Sequence, residues 1–344
     1  MRIGFSVQYA GNPTEVVDHL QQMEAAGLDV AWVAEAYGFD AVSVLGYIAA
    51  KCEDIAIGSA ILNVYSRTPA LIAQVAAGLD AVSGGRFELG LGASGPQVIE
   101  GWHGMPYSKP LTRTQETIEL VRRMLRREVI EHDGEIFTLP LPADQGLGLG
   151  KPLKILSHPV RDTIPIHVAA LGPKNVAMTA EHADGWIPIF FHPDKFRDVW
   201  GEPLREGLER RSDDLGELDT IVSVGFAVAE GDHRRALLDM SRDMYALYIG
   251  GMGAKDKNFY NDLACRYGYE EEAAEIQRLY LDGKKDEAAA LVPETFIEET
   301  NLIGSEGFIK ERLAAYREAG VTTLNVLPLD EPVKVVEQAK AWSA

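Results

Sequence analysis

The feature that most constrains the fold is a regular alternation of short apolar runs with amphipathic segments along the chain. Runs such as residues 3–8 (IGFSVQ) and 55–62 (IAIGSAIL) have the length and composition of strands, and a segment with helical spacing follows each. Such runs begin near residues 3, 29, 55, 86, 163, 184, 220 and 322. Eight strand–helix units predict an α/β protein with a (β/α)8 TIM barrel rather than an open sheet.

Local signals mark where several helices begin and end. Thr14 is the predicted N-cap of the first helix, and Gly27 ends it. A helix is expected over 69–82, because Pro69 suits a first helical position.

Two stretches interrupt the alternation. Residues 128–164 contain Pro, Gly and short β-like pieces, with a hairpin turn predicted at Asp133-Gly134. Residues 232–299 are acidic and helical, without a strand candidate. No linker separates two domains, so we expect one barrel over 1–344 with a loop and hairpin insertion and a helical insertion.

Charge and composition exclude several classes of partner. The formal charge of the 344-residue chain is −19, which disfavours nucleic acid and anionic membrane surfaces. No apolar run reaches the length of a membrane span, and a strand at the N-terminus leaves no visible signal peptide. Cys52 and Cys265 have no metal-ligand spacing, which predicts no metal site and a cytoplasmic location.

A glycine-rich segment follows the fourth predicted strand. Gly90, Gly92 and Gly95 match the dinucleotide fingerprint G-x-G-x-x-G, which would indicate an NAD-dependent Rossmann dehydrogenase. That fingerprint opens a helix at once, whereas Pro96 follows here and no helix is predicted before about Thr112. The segment therefore favours the carboxyl-terminal face of a barrel, where active sites form.

A second turn has the features of an anion site. Leu171-Gly172-Pro173 leads from a predicted strand into a predicted helix. Gly172 allows close approach of a ligand, and the free N–H groups of the helix start attract phosphate. Lys174 adds a positive charge, although the turn is also compatible with an ordinary helix start.

Four segments, in their order and spacing, resemble the bacterial luciferase-like superfamily, and in particular its branch that uses the deazaflavin coenzyme F420. They are WVAEAYGFDA (32–41), SAILNVYSRTPALIAQ (59–74), SGGRFELGLGASGPQVIEGWHG (83–104) and VAALGPKNVAMTAEHADGWIP (168–188). The resemblance implies an oxidoreductase that transfers a hydride between F420 and a small organic substrate. It also implies a homodimer formed by helices of the first half, with 41–50 and 69–82 as candidates.

The resemblance assigns most of the coenzyme site. A non-prolyl cis peptide is expected behind the coenzyme ring at Ala60–Ile61, or else at Ser59–Ala60. Glu35 would lie near the ring, or would serve as the partner of a Lys or Arg. The residues assigned to the coenzyme are Glu35, Ala60, Ile61, Asn63, Ala93, Ser94, Gly95, Ala169, Ala170, Leu171, Gly172, Pro173 and Lys174.

The chain departs from the sugar-phosphate dehydrogenases of this branch at both acid/base positions. Ala36 stands where those enzymes have a histidine, and Ser94-Gly95-Pro96 stands where they have a glutamate. These departures argue against sugar-phosphate oxidation by the same mechanism. Glu35 and His103 remain as candidate catalytic residues. A histidine can exchange protons near neutral pH.

The substrate side is assigned to Gln8, Tyr9, Arg67 and Trp102. Other roles are open: Trp102 packing on the barrel rim, His103 capping a carbonyl, and Arg67 in a surface salt bridge. The tract YIGGMG (248–253) is interpreted as a flexible lid or an ordinary loop.

Two further functions fit the same barrel. One is a two-component monooxygenase that uses reduced FMN and oxygen, with the same phosphate site. The other is a barrel that binds the cofactor without catalysis, which the two missing acid/base residues keep open.

Overall fold

The structure, a computed structural model, describes residues 1–7, 12–253 and 257–343. The strands are β1 (Arg2–Val7), β2 (Val30–Val33), β3 (Ala56–Ser59), β4 (Leu62–Asn63), β5 (Phe87–Gly92), β6 (His132–Asp133), β7 (Thr138–Leu139), β8 (Ile166–Ala169), β9 (Gly185–Ile187), β10 (Asp219–Val228), β11 (Leu302–Gly304) and β12 (Thr323–Pro328). The main sheet is parallel and closes on itself in the order β12-β1-β2-β3-β5-β8-β9-β10, with β10 pairing again with β12. The predicted (β/α)8 TIM barrel is confirmed.

Helices surround the barrel and build the insertions. They are α1 (Pro13–Ala25), α2 (Ala41–Lys51), α3 (Pro69–Val82), α4 (Pro96–Gly101), α5 (Pro110–Leu125), α6 (Pro173–His182), α7 (Phe196–Leu208), α8 (Gly231–Ala246), α9 (Phe259–Arg266), α10 (Glu270–Leu281), α11 (Lys285–Ala290), α12 (Glu294–Glu299), α13 (Glu306–Glu318) and α14 (Pro332–Trp342). Among the described residues, none of these helices is both long and apolar enough to cross a bilayer.

Strand alternation divides the apolar residues into two cores. Ile57, Phe87 and Leu89 belong to the large core between the sheet and the helices. Val30, Trp32 and Ile221 form a second, smaller cluster. Because successive side chains of a strand point to opposite faces, this smaller cluster fills the inside of the barrel.

A charged network crosses the amino-terminal half of the barrel. Arg2 binds one oxygen of Glu88 at 2.7 Å, and His167 Nε2 lies 3.1 Å from the other. Burial raises the pKa of the Glu88 carboxyl, but the hydrogen bond from His167 and the charge of Arg2 outweigh burial and bring the pKa to about 2. Glu88 is therefore a buried carboxylate that joins three strands.

The first insertion folds back along α5. Strands β6 and β7 pair antiparallel, which confirms the hairpin predicted near Asp133-Gly134. Glu116 of α5 holds the hairpin, because its carboxylate accepts backbone N–H groups of Glu135, Ile136 and Phe137 at 2.8–3.2 Å. The second insertion consists of α8 to α12 over its described residues, in agreement with the predicted helical character.

Several local predictions were wrong. Asn12 caps α1, and Thr14 instead donates its backbone N–H to the Asn12 side chain. A helix does begin at Pro96, and α5 begins at Pro110, before the predicted start near Thr112. The closed sheet, rather than a missing helix after Gly95, excludes the open Rossmann sheet.

Three further differences concern secondary structure. The predicted third strand is split into β3 and β4, and a short strand, β11, was not predicted. The predicted loop at 248–253 is also wrong over most of its length, because Leu247–Gly251 continues α8 as a π-helix. Gly250 and Gly251 lie so close to Tyr280 of α10 that an added Cβ would collide with it.

Candidate active site

The segments assigned to the coenzyme lie on neighbouring strands of the barrel. They follow β2, β3 with β4, β5 and β8, which stand side by side in the sheet. The carboxyl ends of parallel strands meet at one face of a barrel, so these segments form one half of its rim. Gln8 and Tyr9 lie outside the described residues.

The kink between β3 and β4 carries the predicted cis peptide bond, at Ala60–Ile61. The Ser59 hydroxyl donates to the carbonyl of Gly90 and accepts the Gly90 N–H, both at 2.9 Å. A Cβ on Gly92 would stand 2.8 Å from Ile61 and 3.6 Å from Ala169. The glycines of β5 therefore let the kink approach closely, and they bring Ile61 and Ala169 together across the rim.

Asn63 ends β4 as a buried residue. Its side-chain oxygen accepts the backbone N–H of Tyr65 at 2.7 Å, which turns the chain away from the strand. Its carbonyl accepts the Ser66 hydroxyl at 3.1 Å. Asn63 thus organises the loop that carries Arg67.

Glu35 and Arg67 form a bidentate ion pair. The guanidinium nitrogens lie 2.5 and 2.8 Å from the two carboxylate oxygens. Glu35 also accepts the backbone N–H of Ala41 at 2.9 Å, at the start of α2. Both side chains are almost buried, with 11% and 13% exposed. Glu35 is therefore a structural partner of an arginine, and the salt bridge considered for Arg67 is present but is largely buried rather than at the surface.

The turn after β5 adopts an uncommon conformation. Ser94 has a φ of 57°, a left-handed conformation that costs energy for a residue with a side chain. The Tyr107 hydroxyl donates to the Ser94 carbonyl at 3.3 Å, and the Tyr107 ring stacks on Tyr65 at 5.3 Å. Burial, with Tyr65 nearby, raises the pKa of Tyr107 to about 12, so its phenol keeps the donated proton.

Two indoles fix the turn between β8 and α6. Trp186 Nε1 donates to the carbonyl of Ala170 at 2.8 Å, and Trp200 Nε1 donates to that of Leu171 at 2.9 Å. Gly172 is the N-cap of α6 and has no side chain to satisfy the first N–H groups. Because the helix offers these groups no internal acceptor, the backbone N–H groups of Lys174 and Asn175 are free for a ligand within the described structure.

The side chain of Lys174 borders a groove beside this turn. Pro173 and Lys174 border a groove of about 420 Å³ between α6 and α7, which Glu202 and Glu206 also line. Lys174 forms no ion pair among the described residues. The predicted charge is thus available at this helix end, beside two carboxylates.

Trp102 and His103 follow α4. The Trp102 side chain is 67% exposed, and its ring lies 6.3 Å from that of Tyr37. Trp102 therefore lies exposed against a second exposed ring instead of packing into the core. The His103 imidazole makes no hydrogen bond within the described part of the chain, so it does not cap a carbonyl there, and nothing in the geometry joins it to Glu35.

Sequence reasoning missed a buried histidine after β9. His192 Nε2 lies 2.8 Å from Glu299, and Nδ1 accepts the N–H of Asp194 at 3.2 Å. Burial lowers the pKa of His192 more than Glu299 raises it. These bonds match a neutral imidazole that ties β9 to α12. Tyr37, Tyr107 and His192 had no motif that would have singled them out.

Comparisons with known proteins agree with this arrangement. The model of the luciferase-like monooxygenase family matches residues 1–323. A candidate coenzyme F420-dependent oxidoreductase of Mycobacterium tuberculosis is 38% identical over 95% of this chain and 94% of its own length. The 5,10-methylenetetrahydromethanopterin reductase of Archaeoglobus fulgidus is 29% identical over 90% of this chain and 87% of its own.

The fold has close counterparts among solved structures. The coenzyme F420-dependent tetrahydromethanopterin reductase from Methanopyrus kandleri superposes with a TM-score of 0.80 at 22% identity, and the match covers 98% of this chain and 96% of that one. The family model spans almost the whole barrel, including all four segments quoted above. This chain belongs to the luciferase-like monooxygenase family.

Proposed function

We propose that this protein is an oxidoreductase that uses coenzyme F420 to transfer a hydride to or from a small organic substrate. The observation that carries the proposal is the placement of the four coenzyme segments on adjacent strands at one rim. The F420-dependent name of the Mycobacterium tuberculosis relative, which aligns with 95% of this chain at 38% identity, supports the same coenzyme.

The chain offers suitable groups for an anionic coenzyme despite its net charge. The free N–H groups of Lys174 and Asn175 and the dipole of α6 would hold a phosphate. The two indole hydrogen bonds already occupy the carbonyl oxygens of Ala170 and Leu171 and hold the turn in place. Ile61 and Ala169, which both adjoin Gly92, would support the coenzyme ring.

Bound F420 would supply the ring carbon that exchanges the hydride, so the protein needs no nucleophile of its own. We propose that Glu35 holds and orients Arg67 rather than donating a proton, because both of its oxygens already accept hydrogen bonds. His103 is then the candidate for a proton at the substrate. Arg67 remains a candidate contact for the substrate.

Spectroscopy of the coenzyme tests this function. Purified protein is mixed with F420 in its oxidised and reduced forms, without oxygen, against a panel of alcohols, aldehydes and enones, and the absorbance of the coenzyme is followed. We expect turnover with at least one class and none with a sugar phosphate. Oxygen uptake with FMN and an added flavin reductase, with no F420 turnover, would instead establish the FMN monooxygenase. F420 binding without turnover across the panel would favour the catalytically silent barrel.

We also propose that the protein is a homodimer located in the cytoplasm. Leu71 and Val82 of α3 are exposed apolar residues on one of the helices assigned to the interface. Two unpaired thiols, Cys52 and Cys265, fit a reducing compartment. Light scattering after gel filtration should give twice the chain mass, and Val82→Asp should shift the mass toward the monomer.

A further inference from the structure

Two aromatic side chains stand out on the rim because they are exposed and touch each other. Tyr37 is 63% exposed and Trp102 is 67% exposed, with ring centroids 6.3 Å apart and ring planes at 49°. Phe39 is a third exposed ring on the same loop as Tyr37. Exposed apolar clusters of this kind commonly mark a binding surface.

Their position ties them to the coenzyme segments. Tyr37 lies two residues after Glu35 on the loop that follows β2, and Trp102 follows α4 beyond the Ser94 turn of β5. Between these two strands stands β3, whose loop carries Arg67. The aromatic pair therefore spans the rim beside the Glu35–Arg67 ion pair.

The charges around the pair are of one sign. On the loop 34–40 and the segment 93–103 the residues that are always charged at neutral pH are Glu35, Asp40 and Glu100, with no Lys or Arg. Arg67, which comes from the neighbouring loop, is already bound to Glu35. An anionic ligand would meet carboxylates here without a free cation from either segment.

We propose that Tyr37 and Trp102 form an aromatic platform that binds the organic substrate and selects a flat, uncharged, apolar one. Flat molecules gain dispersion contact and lose water-exposed area against ring faces, and most of both rings is available for this. The inference rests on the proposed function for the identity of the substrate, but the binding itself does not need the coenzyme.

A matched pair of dyes tests the platform. N-phenyl-naphthylamine is neutral and carries a flat naphthalene ring, and anilinonaphthalene sulfonate has the same rings with an added negative charge. Fluorescence titration should show that the neutral dye binds about tenfold more tightly than the sulfonate. Trp102→Ala or Tyr37→Ala should weaken binding of the neutral dye about tenfold, which is the loss expected for one ring contact. Trp102→Phe should restore much of it.

The control variant is Leu156→Ala, which removes another exposed apolar side chain, on the first insertion. It should leave the affinity of both dyes unchanged. Thermal unfolding of each variant should match that of the parent, because these side chains are mostly exposed.

Four results would overturn the proposal. One is unchanged binding of the neutral dye in Trp102→Ala and Tyr37→Ala. The second is equal affinity for the two dyes. The third is displacement of the dye by F420 alone, which would assign the platform to the coenzyme. The fourth is loss of the dye site as protein concentration rises, which would assign it to a second copy of the chain. Binding of the dye without any binding of F420 would leave the platform standing and would refute the proposed function instead.

Discussion

The hydroxyl of Ser59 holds both polar backbone groups of Gly90, donating to its carbonyl and accepting its N–H, each at 2.9 Å. An ideal Cβ on Gly90 would overlap the carbonyl oxygen of Ser59. The glycines of β5 thus allow β3 and β5 to approach closely. Their match to the dinucleotide fingerprint is one of spacing only. This contact shapes the rim at which the coenzyme is proposed to lie.

Gly90→Ala should be strongly destabilising, because the new methyl group would meet backbone rather than a movable side chain. We expect a loss of about 3 kcal/mol in the free energy of unfolding, measured by urea denaturation. Gly78→Ala is the matched control, since Gly78 lies within α3 with no atom near an added Cβ. It should leave the protein equally stable or more stable by up to about 1 kcal/mol. Equal effects of the two substitutions would contradict the packing described for β3 and β5.

Because of Glu88, the free energy of unfolding should fall as the solution becomes acidic. Its pKa of about 2 lies below the ordinary 4.5, so the folded state favours the carboxylate and the unfolded state binds the proton more readily. The stabilisation is fully present above pH 4.5 and is lost as the pH falls from about 4.5 to about 2. The shift corresponds to about 3 kcal/mol.

Unfolding titrations across that range should therefore show a steep loss of stability in the parent and a shallower one in Glu88→Gln. The exposed residue Glu271 of α10 provides the comparison, and Glu271→Gln should keep the parent slope. A Glu88→Gln protein with the parent slope would show that another carboxylate causes the loss.

The Glu35–Arg67 pair should show strong coupling. Removing one member leaves the other charge nearly buried without its partner, so Glu35→Gln and Arg67→Met should each cost about 2 to 4 kcal/mol of stability. The double variant should cost much less than the sum of the two, and a double-mutant cycle measures the difference. Additive costs would mean that the two residues act independently.

The indole hydrogen bonds should matter for coenzyme affinity more than for stability. Trp200→Phe keeps an aromatic ring in the core but removes the donor to the Leu171 carbonyl. We expect a stability cost of about 1 to 2 kcal/mol and F420 binding weakened about tenfold, because the phosphate turn loses one of its anchors. Phe196→Leu, near the same aromatic cluster, should lower stability without this loss of affinity. Unchanged F420 affinity in Trp200→Phe would show that the indole hydrogen bond does not contribute to coenzyme binding at this turn.

The barrel and much of its rim were predictable because strand periodicity and segment order are local properties of the sequence. The strand starts, the helix from Pro69 to Val82 and the hairpin agree with expectation. The cis bond at Ala60–Ile61 also agrees, and it was expected from the family resemblance rather than from strand periodicity. The helix after Gly95 differs from expectation because a proline that would break a helix interior is well suited to a first helical position.

Contacts between distant segments were not predictable. The pairing of Glu35 with Arg67 joins loops 32 residues apart, and that of Trp102 with Tyr37 joins two different strand ends. The loop predicted at 248–253 failed because glycines signal turns in a sequence, while here two of them allow the close approach of Tyr280. Such roles depend on which elements become neighbours, and sequence spacing alone does not determine that.

The most direct test of the account is equilibrium binding of F420 and FMN to the purified protein, measured side by side by fluorescence titration. The account predicts tight binding of F420 and much weaker binding of FMN, with F420 binding reduced in Lys174→Ala and Trp200→Phe. Tight binding of FMN with weak binding of F420 would contradict the proposed coenzyme, and binding of neither would contradict the assignment of the rim as a coenzyme site.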